Sequence, residues 1–304
     1  MKPTTREILQ KADLVVADLS SNGGYLNAEQ ANRFLDLIID TPTIFQEIRT
    51  VRMTSPQRKV EKLGFGSRIL RAAPASGETL DATDRAKPTT SKVELSTKEI
   101  IAEVHVPYDV LEDNIEHENM EASIMRHIGY RAALDLEELL VLGDTTSSDA
   151  YLALLNGLIK QTTTNTASYA DVISKAAFKS AIKTMPNKYL RDRPSMRFWV
   201  SPDNETEYLD TLADRETSLG DAMVEGYRRA PAYAVPVVPA VMVPDANILF
   251  TYPKNIIWGV QRQISIETDK DIRARTHIIV LTMRIDMKYE TEDAAVLIDS
   301  IVTS

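Results

Sequence analysis

The first third of the chain is patterned for secondary structure but carries too little apolar surface to enclose a core. Thr4-Thr5-Arg6-Glu7 has the spacing of a capping box, and Ile8, Ala12, Val15 and Leu19 follow on one helical face. Ser21-Asn22-Gly23-Gly24 stops that helix. Asn27-Ala28-Glu29-Gln30 opens a second with Phe34, Leu37 and Ile38 inward, and Thr41-Pro42 closes it. Residues 48–53 and 58–70 then favour strands, residues 72–88 are small and polar, and residues 93–106 favour a strand again. This predicts a long hairpin whose middle packs poorly. A two-stranded ribbon is marginal alone in water. Both extensions therefore need another body to rest on, in this subunit or in another copy.

The remainder supplies such a body. Residues 107–115 read as a short helix and 118–142 as a long one ended by Gly143, with Ile124, Ile128, Ala132, Leu136 and Leu140 four apart on a stripe. Its expected length is about 36 Å. Tyr169 to Met185 reads as a helix closed by Pro186, Arg197-Phe198-Trp199-Val200 as a short buried strand, and Asp203 to Asp214 as a helix. Residues 231–244 are extended and broken by prolines. Residues 256–260, 263–267, 277–289 and 294–302 are strand-like. The order of arm, ribbon, long helix, mixed lobe and returning strands predicts an α+β protein.

Composition narrows the function. The 304 residues are 43% hydrophobic and include no cysteine, which excludes disulfides, thiolate metal sites and cysteine nucleophiles. The four histidines (His105, His117, His127 and His277) form no HExxH motif and no i, i+4 pair. No apolar run approaches the roughly 18 residues of a membrane span, and the start lacks a signal-peptide core. The expectation is a soluble protein made in the cytosol. A formal charge of −9 argues against a dedicated nucleic-acid binder. That charge is unevenly placed: residues 49–71 hold seven basic residues and one acid, net +6, whereas residues 109–138 hold nine acids and two arginines, net −7. Blocks of opposite sign predict contact with each other, within or between subunits, against the alternative of two solvated faces.

Local signatures of catalysis are missing. Gly64-Phe65-Gly66-Ser67-Arg68-Ile69 lacks the third glycine of a dinucleotide fingerprint, and Leu142-Gly143-Asp144-Thr145-Thr146 lacks the P-loop lysine. Glu137-Glu138 and Asp269-Lys270-Asp271 read as solvated acids, and neither Ser201 nor Ser218 sits in a nucleophile elbow. No catalytic, metal or cofactor-binding residue is expected, and no cofactor.

Several stretches, taken in order, resemble the tailed-bacteriophage major capsid proteins of the Hong Kong 97-like fold. Residues 24–34 resemble the family's N-terminal arm, and Val106-Pro107-Tyr108-Asp109-Val110-Leu111-Glu112-Asp113 resembles the entry to its spine helix. Residues 139–144 followed by Asn156-Gly157-Leu158-Ile159 resemble the step into the axial domain. Trp258-Gly259, Gln263-Ile264-Ser265-Ile266 and Arg284-Ile285-Asp286 resemble the return to the peripheral domain. One departure is Ala232-Tyr233-Ala234-Val235-Pro236-Val237, where the family often has Leu-x-Gly-x-Pro-Val. Another is the lack of a scaffolding segment ahead of the arm, which suggests a separate scaffolding protein.

The resemblance implies an N-arm at 1–50, an extended E-loop hairpin at 51–106, a peripheral domain with the spine helix from 107–144 and 257–304, and an axial domain at 145–256. It implies a structural protein that assembles with itself, as pentamers and hexamers, into an icosahedral head in the virion, built in the host cytoplasm. Implied partners are a portal protein, the scaffold, packaged double-stranded DNA held non-specifically and, as an open question, a decoration protein; no membrane is involved. Within this picture the basic ribbon base (Arg58, Lys59, Lys62) is expected against the acidic helix (Glu116, Glu118, Glu121) of a neighbouring subunit. Some members join ribbon lysines to a neighbour's asparagine with a glutamate as base. Here the ribbon offers Lys87, Lys92 and Lys98, but residues 271–287 hold neither asparagine nor glutamate, so an uncross-linked shell is expected. Rival readings are an encapsulin-type compartment, against which the two-helix arm weighs, and an uncharacterised α+β enzyme.

Overall fold

A computed structural model describes residues 44–64, 69–70, 72, 79–81, 83, 85, 87–108, 120–213 and 231–302. The residues expected to form the two arm helices, the middle of the ribbon around Gly66 and Arg68, and most of the short helix expected from Pro107 lie outside the described residues. In chain order the strands are β1 (Arg49–Met53), β2 (Gln57–Gly64), β3 (Thr89–Ser96), β4 (Lys98–Pro107), β5 (Thr166–Ser168), β6 (Arg197–Val200), β7 (Pro231–Ala232), β8 (Val235–Pro239), β9 (Ile248–Thr251), β10 (Ile256–Asp271), β11 (Thr276–Tyr289) and β12 (Ala295–Asp299). The helices are α1 (Met120–Leu142), the single turn α2 (Leu158–Gln161), α3 (Lys175–Thr184) and α4 (Pro202–Ala213).

These elements form the expected α+β fold around two sheets. One has the order β1-β10-β11-β4, the other β5-β12-β9-β6-β8-β7, and β2-β3 form a two-stranded ribbon of their own. Sheet membership divides the chain differently from the segment limits read in the sequence. β1 and β4, the two ends of the expected ribbon, belong to the four-stranded sheet. β12, expected with the returning strands, pairs instead with β5 and β9 in the six-stranded sheet.

Strand alternation explains how the two cores meet. Trp199, Leu249 and Leu297 point from the six-stranded sheet into a core shared with α1 (Leu136, Leu139, Leu140) and β10–β11 (Trp258, Ile285, Met287). Their sequence neighbours Phe198, Phe250 and Ile298 point the other way, against Phe178 of α3 and Tyr208 of α4. The Phe198 and Phe250 rings stack at 4.4 Å, and Phe178 meets Phe198 edge-on at 4.9 Å.

On α1 the stripe expected at every fourth residue holds at Leu136 and Leu140 but drifts upstream. Ile128 and Ala132 are only half-buried, while Gly129 and Ala133 are buried. Four residues rotate a helix by more than one turn, so the buried line steps by four, three and four. The helix expected from Tyr169 begins only at Lys175. Ser174 caps it by accepting from the Ala176 N–H at 3.3 Å, and the preceding residues stay extended, with Tyr169 N–H donating to the Asp299 carbonyl.

The exit of α1 is locked by two glycines. Gly157 N–H donates to the Gly143 carbonyl at 2.7 Å. A Cβ on Gly143 would lie 2.6 Å from the Leu139 and Leu155 carbonyl oxygens, and one on Gly157 would lie 2.6 Å from the Gly143 nitrogen. Only glycine allows the backbones to pass this closely.

Candidate assembly surfaces

Among the described elements the ribbon β2–β3 stands as a two-stranded sheet of its own. Its strands pair from Gln57↔Ser96 to Gly64↔Thr89. Alternation puts Arg58, Val60 and Lys62 on one face with Leu95, Val93 and Ser91, and Lys59 and Glu61 on the other with Glu94 and Lys92. The second face is exposed and carries cross-strand ion pairs, Lys92–Glu61 at 3.3 Å and Lys59–Glu94 at 3.7 Å. The three basic residues read as one patch are thus divided between two faces. Glu116 and Glu118 lie outside the described residues, and Glu121 is placed in α1 by its backbone alone. Arg58 donates to the Arg52 carbonyl at 2.5 Å.

Lys62 turns into its own subunit. It donates to the Thr291 hydroxyl at 2.7 Å; burial pushes its ammonium pKa down, with Glu290 and Asp293 pulling the other way. Residues 290–294 connect β11 to β12, and each of the first four holds a different segment. Glu290 pairs with Arg49 of β1 at 3.2 Å, Thr291 takes Lys62 of the ribbon, and Asp293 lies 3.6 Å from Lys188. Glu292 Oε1 accepts from the backbone N–H and hydroxyl of both Thr163 and Thr164 at 2.6–3.0 Å; the Thr163 hydroxyl leads in holding its pKa low.

Asn255 belongs to the same corner. Its carboxamide donates to Thr251 and to the Thr291 carbonyl and accepts from the Thr291 N–H, while Glu290 N–H donates to the Asn255 carbonyl at 2.6 Å. A lysine, an asparagine and a glutamate therefore meet near residue 291, although 35 residues of sequence separate Asn255 from Glu290. Antiparallel pairing of β10 and β11 brings their far ends together. The asparagine is already fully engaged in hydrogen bonds.

The ribbon's foot rests on β10 and β11. Leu95, Met53 and Ile257 form a small buried cluster over Gly259, where a Cβ would lie 2.9 Å from the Met53 sulfur and 3.2 Å from Leu95 Cδ1. Asp286, only 3% exposed, accepts from the Ser96 N–H at 2.6 Å and from its neighbour Met287 N–H at 2.8 Å. Burial raises its pKa, opposed by the Ser96 N–H and the Lys288 ammonium. Lys288 donates to the Glu94 carbonyl at 2.7 Å, and Thr97 donates to Gln261 at 2.7 Å.

The root of the arm is anchored similarly. Ile44, Phe45 and Ile48 are buried in the shared core, and Phe45 meets Trp258 edge-on at 4.6 Å. Glu137 Oε1 accepts from the Ile44 N–H at 3.3 Å, and burial pushes this carboxyl up. Glu137 is thus 2% exposed, not the solvated acid read from Glu137-Glu138. Sequence reading missed Asp286, Lys288, Glu137 and the 290–293 corner. The available signal was parity: Arg284, Asp286 and Lys288 alternate with the core residues Ile285, Met287 and Tyr289.

Among the described residues no cluster of metal-ligating side chains occurs, and no helix is long and apolar enough to cross a membrane. The sequence pattern of the phage capsid family matches residues 23–300. The chain belongs to the phage capsid family. It is 45% identical over 302 residues to the prophage capsid protein YqbE of Bacillus subtilis (strain 168), covering 95% of this chain and 96% of that one. Among solved structures, a procapsid of satellite phage P4 that includes its size-determination (Sid) protein superposes with a TM-score of 0.71 at 15% identity, covering 99% of each chain. The holo-SrpI encapsulin complex from Synechococcus elongatus PCC 7942 superposes with a TM-score of 0.58 at 11% identity, covering 87% of this chain and 90% of that one. The Hong Kong 97-like fold is common to these shells. Family membership and the close relative identify this member as a major capsid protein, a structural component of the icosahedral capsid in the virion rather than an enzyme.

Proposed function

We infer that copies of this chain close rings of five and six and that these rings complete a head around double-stranded DNA. In this reading the arm, ribbon, peripheral and axial segments keep the limits 1–50, 51–106, 107–144 with 257–304, and 145–256, except that β12 moves with the axial lobe. The supporting observation is the β2–β3 ribbon: two strands in a sheet of their own, with Leu95 and Lys62 held by the same subunit on one face and the other face exposed. Such a ribbon gains stability by lying on a neighbour. Assembly would take place in the host cytoplasm with a separate scaffolding protein and a portal protein, and a decoration protein is a further candidate.

Arg58, Lys59 and Lys62 against Glu116, Glu118 and Glu121 of a neighbour is the proposed charge contact. All three have partners within the chain, and Lys59 is the most available because its pair with Glu94 is exposed and long, at 3.7 Å, whereas Arg58 and Lys62 make hydrogen bonds of 2.5 and 2.7 Å. Exposed pairs are worth about 0–1 kcal/mol each, so only the summed network matters. Light scattering and negative-stain microscopy of the purified protein test the assembly. Shells or rings are expected, and a monodisperse 34.0 kDa monomer under all ionic conditions would sink it. Reversal of the basic set should impair assembly and reversal of the acidic set partly restore it. The shell is expected to be held without covalent links, giving a single band after boiling in SDS.

A further inference from the structure

The charged groups beneath the ribbon's foot lie on the polar face of β11, where the shared core makes no use of them. From their arrangement we propose that Asp286 is a positioning residue: in the free subunit it clamps the ribbon root to the subunit's own sheet, so that the ribbon meets a neighbour already aimed.

Asp286 is buried and spends one carboxylate oxygen on the Ser96 N–H at the end of β3 and the other on the Met287 N–H. Ser96 is the last ribbon residue before the chain enters β4 at Lys98. A bond there fixes the direction in which the ribbon leaves the sheet. Lys288, two residues along the same face, holds the Glu94 carbonyl, so β3 is stapled at two alternate positions. Lys62 holds β2 to Thr291, and Gly259 leaves room for Leu95 and Met53 to settle between the staples. Apolar contact alone would let the foot slide. Hydrogen bonds to a buried carboxylate are directional and short, and they set one register.

Every one of these bonds lies within one chain, so none waits for a neighbour. The role assigned to the clamp in assembly rests on the ribbon-to-neighbour reading above, whereas the clamp itself can be measured without assembly.

Hydrogen exchange of the unassembled full-length subunit is the test. The Ser96 amide should be protected in the native protein. Asp286→Asn leaves one acceptor oxygen for two N–H groups and should speed Ser96 exchange by about 10-fold or more. Amides of β6 and β9 should keep their native protection in the same sample. Should Asp286→Asn fail to fold, the Lys62→Met/Lys288→Met double variant removes two solvent-reachable staples and should speed exchange along β2 and β3 while Ser96 stays protected. An unprotected Ser96 amide in the native free subunit, or unchanged exchange in the variants, overturns the clamp. Light scattering on the same samples then reads the aiming role: folded Asp286→Asn subunits should assemble several-fold more slowly. Assembly at the native rate would overturn that role. A native subunit with protected Ser96 that never assembles would sink the shell reading and leave the clamp standing.

Discussion

The six-stranded sheet and the ribbon foot bury apolar residues for different ends. The first is covered on both faces: Phe198, Phe250 and Ile298 on one side, Trp199, Leu249 and Leu297 on the other. Its four inner strands, β12, β9, β6 and β8, are largely apolar runs of four or five residues such as Ile248–Thr251, and its packing is set by shape. The foot buries only Leu95, Met53 and Ile257 and adds Asp286, Lys288, Gln261 and Lys62 around them. Buried polar groups add little net stability but fix geometry, because each leaves an unsatisfied partner when misplaced. The lobe is built to be stable, and the foot is built to point.

Truncation of one residue in each region should separate these roles most sharply. Phe250→Ala is expected to cost about 4 kcal/mol of unfolding free energy, Leu95→Ala about 2 kcal/mol because the foot can partly collapse. Urea unfolding measures both. Assembly should suffer more from Leu95→Ala per unit of stability lost; equal loss would erase the distinction.

Two glycines give a second contrast. Gly157→Ala drives a methyl into backbone atoms of Gly143 and Val141 and should cost about 3 kcal/mol. Gly259→Ala meets the flexible end of Met53 and should cost about 1 kcal/mol while displacing the ribbon. Thermal unfolding with exchange at Ser96 distinguishes the two.

A milder effect is expected at the exposed step between the helix and the second lobe. Asp144 accepts from Lys160 at 2.9 Å and from the hydroxyl and N–H of Thr146, and these, Lys160 first, hold its pKa at about 2. An ordinary aspartate titrates near about 3.9. The folded value is the lower, so this contribution is fully present above about pH 4 and is lost as pH falls through about 2. Thr146 amide protection should follow that curve, and Asp144→Asn should flatten it.

The smallest expected change is a gain. Tyr233 and Ala234 turn the chain between β7 and β8 with φ of 52° and 68°. Both values are in the left-handed region that costs non-glycine residues about 1–2 kcal/mol. Ala234→Gly should raise stability by about 0.5 kcal/mol after the entropy glycine adds to the unfolded chain. A lower midpoint in urea would show the turn to be held by its neighbours instead.

Much of the architecture was written in local pattern. An apolar run marked β6, the helical stripe and Gly143 marked α1, and the order of segments pointed to the family, whereas the apolar run of β9 went unread. Composition alone excluded cysteine chemistry. What the chain could not show locally was which surfaces are covered by segments distant in sequence. Glu137-Glu138 reads as a pair of solvated acids, yet Ile44 closes over the first of them. Arg284, Asp286 and Lys288 alternate with core residues along β11, and nothing local tells that the ribbon foot, some 190 residues earlier, seals Asp286 beneath Ser96. Arg58, Lys59 and Lys62 read as one basic patch until pairing with β3 divides them between two faces. Propensity and periodicity act over a few residues and are recorded in the sequence, whereas desolvation depends on what packs above a group, and only the tertiary fold decides that.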